Sequence, residues 1–210
     1  MKKAVLLMMM TVTVWTALFA QERRYGIESA ILKKNVVIRP QIAIMEQSYF
    51  AIQYIADYGQ KESAETFMDI QGQKVTVFTM MKDGYVYSTN MAANQGTKIN
   101  IAAMMEDYKT VNYLNLTDED RKKYQIEEKG NEQFLGKDCK SYELTVTAQG
   151  QTVKVAVLVW QGLALKSSTI ASGTTMIEET TEIQEGVAIA KEKFELPEGI
   201  NFVEMSLPNL

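Results

Sequence analysis

The stretch that decides the fold runs from residue 141 to residue 183 and reads SYELTVTAQGQTVKVAVLVWQGLALKSSTIASGTTMIEETTEI. The dipeptides Gln149-Gly150, Gln161-Gly162 and Ser172-Gly173 divide it into four β-rich segments. Such two-residue connections are typical of β-hairpins, because glycine readily adopts the positive φ that a tight turn requires. The stretch therefore predicts four consecutive antiparallel strands. They are Ser141 to Ala148, Gln151 to Trp160, Leu163 to Ala171, and Thr174 to Ile183.

The N-terminal half continues the same pattern. From Gly26 to Asn90, short apolar segments alternate with polar residues and are separated by turn signals, as expected for strands. The clearest hairpin is KVTVFTMMK (74–82) followed by YVYSTN (85–90), with Asp83-Gly84 between them. Both central residues of a type I′ turn need positive φ, which makes Asp-Gly a strong hairpin signal.

Two helices are predicted in the middle of the chain. Ile101, Met104, Met105 and Tyr108 have the spacing of one helix face, with Asn100 as the N-cap, which predicts a helix over about 101–110. A second short helix is predicted to begin at Thr117. Acidic residues follow Thr117 in the first turn and lysines lie near the end, which suits the helix dipole.

The strand predicted for residues 151–160 is apolar on both faces in its second half. Valines occupy one parity, whereas the other carries Lys154, Ala156, Leu158 and Trp160. An antiparallel strand with one face in water should alternate cleanly, so an apolar element must cover this second face. We expect the helix at 101–110 to do so, leaving either a closed core or an apolar groove; the pattern alone favours the closed core. The candidate ligand-binding residues of such a groove are Ile101, Met104, Met105, Tyr108, Ala156, Leu158 and Trp160.

Composition excludes several kinds of chemistry. The chain has no histidine and one cysteine, so Ser-His-Asp and Cys-His catalysis, histidine-ligated metals and an intrachain disulfide are excluded. Cys139 is interpreted as a small structural side chain, although its parity with Ser141 and Glu143 argues against burial. Glu178 and Glu182 share a parity with threonines, as on a solvated strand face. We therefore predict no catalytic residue, no metal and no cofactor.

The first twenty residues, MKKAVLLMMMTVTVWTALFA, are typical of a secretory signal peptide. The apolar run is short of the ~20 residues that span a membrane, and no cysteine lies near Ala20 for lipid attachment. We expect residues 21–210 to form one soluble domain, periplasmic or secreted, that does not span the membrane. This part has 22 − 2 = 20 basic and 26 acidic residues, a net charge of −6 without a basic stripe, so nucleic acid is not an expected partner.

Several segments resemble the LolA/LolB-like superfamily of bacterial envelope proteins, in particular its poorly characterised secreted members. They are FLGKDCKSY (134–142), VLVWQGLALK (157–166), FELP (194–197) and YIADYGQKE (54–62). The resemblance implies a mainly β (α+β) fold, an open antiparallel half-barrel of consecutive hairpins with one or two helices packed on its concave face. In the superfamily's lipoprotein carriers, the cavity between sheet and helices holds acyl chains.

Two functions follow as expectations. The first is a soluble periplasmic lipid- or lipoprotein-binding, carrier-like protein that shelters an apolar ligand, such as an acyl chain, between sheet and helix. The alternative is a non-catalytic interaction module of the same fold, without a real cavity, that senses envelope stress or scaffolds an envelope protein partner. A large apolar cavity would favour the first function, and a filled core would favour the second.

Overall fold

A computed structural model describes residues 23–40, 47–70, 72–91, 94–100, 111–148 and 151–205. Within these ranges the chain forms one twelve-stranded sheet and one α-helix, α1. The helix is Asp118–Lys123, and three 3-10 turns lie at Asp57–Gly59, Tyr113–Asn115 and Lys191–Phe194. The strands are β1 Ala30–Pro40, β2 Gln47–Ala56, β3 Lys61–Ile70, β4 Gln73–Lys82, β5 Tyr85–Asn90, β6 Gln95–Asn100, β7 Glu127–Phe134, β8 Lys137–Ala148, β9 Gln151–Trp160, β10 Leu163–Ala171, β11 Thr174–Glu185 and β12 Asn201–Met205.

The predicted hairpins are confirmed where the structure describes their turns. Asp83-Gly84, Gln161-Gly162 and Ser172-Gly173 have positive φ at both residues, the conformation of a type I′ turn. Leu135-Gly136 makes a fourth turn of this kind between β7 and β8. Gln149-Gly150 lies outside the described residues, but Ala148 pairs with Gln151 on either side of it.

The order of the strands is β12-β6-β5-β4-β3-β2-β1-β11-β10-β9-β8-β7, and the sheet is open, with β12 and β7 as its edges. Hairpins connect β1 to β6 and β7 to β11, and the antiparallel pairing of β1 with β11 joins these two halves. One edge departs from the expected antiparallel sheet of consecutive hairpins, because β12 pairs parallel with β6. A parallel pair needs a long crossover connection, and the chain from β7 to β11 provides it.

The second predicted helix is confirmed as α1. The Thr117 hydroxyl accepts a hydrogen bond from the Asp120 backbone N–H, and the Asp120 carboxylate accepts one from the Thr117 N–H. This capping box satisfies N–H groups that have no partner inside the helix. The helix predicted over 101–110, with its cap at Asn100, lies outside the described residues beyond Asn100 itself.

The register of the sheet defines its two faces, because residues directly opposite each other in neighbouring strands share a face. The row Thr180, Lys34, Ala51, Thr66 and Val77 crosses β11, β1, β2, β3 and β4 on one face, named here the Lys34 face. The other face, named the Tyr54 face, carries the row Tyr54, Ser63, Met80 and Tyr87.

Different chain segments cover the two faces. On the Lys34 face of β8 and β9, residues from the connection before β7 complete the valine cluster, which consists of Val111, Tyr124, Ile126, Tyr142, Leu144, Val157 and Val159. On the Tyr54 face, the C-terminal segment packs over β2–β5. The Ser63 hydroxyl donates to the Lys193 carbonyl, Lys193 Nζ lies 2.6 Å from a Glu65 carboxylate oxygen, and the Phe202 ring meets Tyr87 edge-on.

The segment before β1 closes one end of the sheet. The backbone N–H groups of Arg24 and Tyr25 donate to the Tyr58 carbonyl, and that of Gly26 donates to the Gln161 carbonyl. The Tyr25 side chain thereby joins the end cluster, which consists of Tyr25, Ala30, Leu32, Ile55, Cys139, Leu158, Leu163 and Leu165. The ladder between β10 and β11 ends at Lys166 and Glu179. Beyond that point β10 pairs only with β9, and side chains of the end cluster connect it to β1 and β2.

We expect Gly162→Ala to destabilise the protein more than Gly136→Ala. Both glycines have positive φ in equivalent turns, so each alanine costs about 1–2 kcal/mol of backbone strain. A Cβ at Gly162 would also lie 2.5 Å from the Arg24 carbonyl oxygen, whereas a Cβ at Gly136 meets no atom within 4 Å. Overpacking should add about 1–3 kcal/mol at Gly162. Urea unfolding measures both losses, and equal losses would contradict the docking of the N-terminal segment.

Candidate functional site

The structure places the candidate ligand-binding residues in different surroundings. Leu158 is buried in the end cluster, Trp160 is half-buried with Lys137 Nζ 4.4 Å from its ring centre, and Ala156 is exposed. Ile101, Met104, Met105 and Tyr108 lie outside the described residues. The lining of a groove by these seven residues therefore stays a prediction.

Strand β9 is apolar on both faces because each face has its own cover. Val157 and Val159 point to the Lys34 face and belong to the valine cluster with residues from the connection before β7. Leu158 lies on the opposite face and belongs to the end cluster with Tyr25 of the N-terminal segment. The sequence predicted a second cover and assigned it to the helix over 101–110. The structure identifies Tyr25 as part of this cover, and residues 101–110 lie outside the described residues.

The Lys34 face of β2–β6 carries small side chains. In two neighbouring rows of this face, seven side chains are no larger than valine, and the same rows also carry Gln53, Asn90 and Gln95. We name this surface the small-residue patch, which consists of Ala51, Ala64, Thr66, Val77, Thr79, Ser88 and Thr97. Ala51, Ala64 and Thr66 are buried, and the other four are half-buried. Ala51, Ala64 and Thr66 are thus already covered within the structure, whereas Val77, Thr79, Ser88 and Thr97 are partly accessible.

A buried ion pair borders the patch. Lys34 Nζ lies 2.5 Å from Glu178 Oε1, and the two side chains are only 10% and 13% exposed. Lys34 is directly opposite Ala51 on one side and Thr180 on the other. The pKa of the Tyr49 phenol is raised well above its usual value, by burial first and by the nearby Glu178 carboxylate second. The pair thus lies in a region of low dielectric, where charges are costly unless they are paired.

A β-bulge separates Glu178 from Glu182, which their even spacing had placed together on one solvated strand face. Thr180 pairs with Lys34 and Glu182 pairs with Lys33, so the ladder skips Thr181. An extra residue in one strand reverses which face the following side chains occupy. Glu178 and Glu182 therefore point to opposite faces despite their even spacing. Glu182 pairs with Lys33 at 2.6 Å, and these side chains are 43% and 38% exposed.

Cys139 is 1% exposed, which corrects the expectation from parity that it faces solvent. It shares the Tyr54 face with Ser141, but the N-terminal segment and Leu163 cover this end of the face. The pKa of its thiol is raised, first by burial and second by the nearby Glu132. The side chain fills part of the end cluster, as expected of a small structural residue.

Comparisons with known proteins were made with the sequence and with the fold. No family model and no curated protein matches the sequence. Similar solved structures include a putative outer membrane lipoprotein-sorting protein domain from Vibrio parahaemolyticus, with 12% identity, a TM-score of 0.40, and coverage of 81% of this chain and 91% of that chain. A LolA superfamily protein from Nitrosomonas europaea, at 10% identity and TM-score 0.38, covers 83% of this chain and 93% of that chain.

A chain from the complex of Pseudomonas aeruginosa MucA and MucB is also similar, with 14% identity, a TM-score of 0.46, and coverage of 83% of this chain and 58% of that chain. A LolA superfamily protein is thus among the similar structures, as the sequence resemblance predicts. At these identities and TM-scores the similarities carry no information about ligand, partner or activity. Among the described residues, no helix has the length and apolar character needed to cross a membrane.

We expect the Cys139 thiol to react with a disulfide reagent at neutral pH about 100-fold more slowly in the native protein than in urea. Burial removes access and raises the thiol pKa, so little thiolate is present. The measurement is the rate of colour release from a chromogenic disulfide. A native rate close to the rate in urea would show that the end cluster is open.

We expect Lys34→Met to cost about 3 kcal/mol of unfolding free energy, because it leaves the Glu178 carboxylate buried without its partner. The matched control is Lys33→Met, which breaks the exposed pair with Glu182 and should cost less than about 1 kcal/mol. The double variant Lys34→Met/Glu178→Met should recover most of the loss, because apolar residues replace both charges. Urea unfolding at pH 7 tests all three, and equal losses for the two single variants would contradict the burial of the pair.

Proposed function

We propose that the protein is an exported, non-catalytic binding protein that holds an apolar ligand, such as an acyl chain or a lipoprotein, against the small-residue patch. The observation that supports this function best is the patch itself, seven small side chains on one face of β2–β6. The signal-peptide pattern of residues 1–20 supports a place in the periplasm or outside the cell. The half-barrel shape implied by the sequence resemblance belongs to the same proposal.

The energetics suit an acyl chain. Burial of a methylene group contributes about 0.8 kcal/mol, so ten methylenes contribute about 8 kcal/mol. Association and ordering cost about 4–15 kcal/mol before any net affinity appears. Binding to such a surface is therefore expected only above a minimum chain length and should tighten with each added methylene.

The stripe Ile101, Met104, Met105 and Tyr108 is the proposed cover of the ligand on the Lys34 face. Ala156, Leu158 and Trp160 lie on the opposite face of β9 and are not part of this proposed site. Asn100 ends β6, which contributes Thr97 to the patch, and Val111 is packed in the valine cluster on the same Lys34 face. Residues 101–110 connect these two points. Methionine has a flexible side chain that adapts to irregular partners, which suits contact with a mobile hydrocarbon chain.

A second candidate function is the non-catalytic interaction module for an envelope protein partner. It is favoured by the exposed side chain of Phe67 on β3, whose ring lies 5.9 Å from the ring of the half-buried Phe50 on the same face. Exposed apolar side chains that lie close together mark interaction surfaces more often than isolated ones do. This function does not need the small-residue patch to be free.

We expect the delipidated protein to bind fatty acids with an affinity that increases with chain length, and Thr79→Trp to weaken that binding at least about tenfold. Thr79 lies in the patch, and an indole there would occupy the space of the ligand. The matched control is Thr76→Trp, since Thr76 is a half-buried threonine on the opposite face of β4 and should leave binding unchanged. Calorimetric titration of folded variants provides the affinities.

Two results would overturn the proposed function. The first is absence of binding to the native protein by fatty acids and by uncharged acyl esters alike, at every chain length tested. The second is equal affinity of the Thr79→Trp and Thr76→Trp variants, which would place the ligand elsewhere. Either result would leave the interaction module as the better proposal.

A further inference from the structure

The ion pair of Lys34 and Glu178 lies at the border of the small-residue patch and on the same face. Lys34 is opposite Ala51, and Ala51 is opposite Thr66, so the ammonium stem and the patch share one row of the sheet. Both charged side chains are nearly buried at 10% and 13% exposure. A ligand lying along the patch therefore has its end next to this pair.

The pair has an unsatisfied hydroxyl beside it. Thr180 is directly opposite Lys34, is 1% exposed, and its Oγ1 has no hydrogen-bond partner in the part of the chain that the structure describes. A buried hydroxyl without a partner destabilises a fold by about 1–3 kcal/mol. An ammonium group has three N–H donors, and Glu178 accepts from Lys34. The site thus offers hydrogen bonds to a group that is not part of the described chain.

The charges of Lys34 and Glu178 limit the chemical class of the ligand group that can bind beside them. Lys34 and Glu178 carry opposite unit charges that cancel, so a ligand that brought its own charge would leave one buried charge without a counter-charge. An uncharged group that accepts and donates hydrogen bonds meets no such penalty. Ester and amide carbonyls accept hydrogen bonds from ammonium and hydroxyl groups without adding charge.

The pair is not needed for the pairing of β1 with β11. Lys33 and Glu182 form the equivalent pair on the opposite face of the same two strands, and that pair is exposed. At a buried position, well-packed apolar residues stabilise a fold as well as an ion pair or better. Stability alone therefore gives no reason for charges on the Lys34 face.

Resting on the proposed function, we infer that Lys34, Glu178 and Thr180 bind the uncharged polar end of an acyl ligand, an ester or amide, and discriminate against ionised fatty acids. The patch holds the hydrocarbon chain, Lys34 Nζ and Thr180 Oγ1 donate to the carbonyl, and Glu178 keeps the site neutral. The ligand class is an acyl ester or acyl amide.

The test compares a monoacylglycerol with the fatty acid of the same chain length at pH 8, where a carboxyl group of ordinary pKa is ionised. The native protein should bind the monoacylglycerol at least about tenfold more tightly. Glu178→Gln leaves Lys34 without its counter-charge, so the ratio of the two affinities should shift toward the fatty acid at least about tenfold. Glu182→Gln on the opposite face should leave the ratio unchanged.

Thr180→Val provides a second variant, which removes the hydroxyl at nearly constant shape. It should weaken monoacylglycerol binding several-fold and leave fatty-acid binding unchanged, and it carries the test if Glu178→Gln does not fold. A ratio that stays the same in the Glu178→Gln and Thr180→Val variants overturns this inference while the proposed function stands. Absence of binding by both ligands overturns the proposed function and the inference with it.

Discussion

The antiparallel pairing of β1 with β11 is the interaction on which the rest of the structure depends. It joins the hairpins β1–β6 to the hairpins β7–β11 and brings together residues about 150 positions apart. Forming such a long-range ladder costs loop-closure entropy that only side-chain burial and backbone pairing on both halves can offset. The end cluster supplies part of that burial, because it combines Leu32 of β1 and Ile55 of β2 with Leu163 of β10.

The local features of the fold were predictable because their causes are local. An X-Gly dipeptide determines a tight turn by its own φ preference, and Thr117 caps α1 through a residue three positions away. The order of the strands has no such local cause. Nothing within β1 or β11 specifies that they pair with each other, and the parallel pairing of β12 with β6 requires a contact across more than 100 residues.

The site was predictable only where simple alternation held. The two-sided apolar character of β9 correctly indicated a second cover, but alternation placed Glu178 beside Glu182 on a solvated face. The bulge at Thr181 reverses the alternation, and no residue type in this stretch signals it. For Cys139 the predicted face was correct, but the predicted exposure to solvent was wrong. The N-terminal segment covers the end of the Tyr54 face on which Cys139 lies. The small-residue patch could not be predicted from the sequence, because its members become neighbours only through the register of five strands.

On the function proposed above, the ion pair of Lys34 and Glu178 affects which ligands are recognised. Apolar burial is non-directional, so a groove of small side chains alone would bind every acyl chain according to its length and would not distinguish one polar end from another. Discrimination requires buried polar groups that are left unpaired by the wrong ligand, because that loss is larger than the gain from any one contact. Glu178 shares the Lys34 face with Thr180, so Lys34 and Glu178 form their ion pair at the end of the small-residue patch, while the bulge places Glu182 on the other face. On the inference drawn above, this ion pair adds discrimination by the charge of the polar end to a surface that would otherwise select acyl chains by length alone.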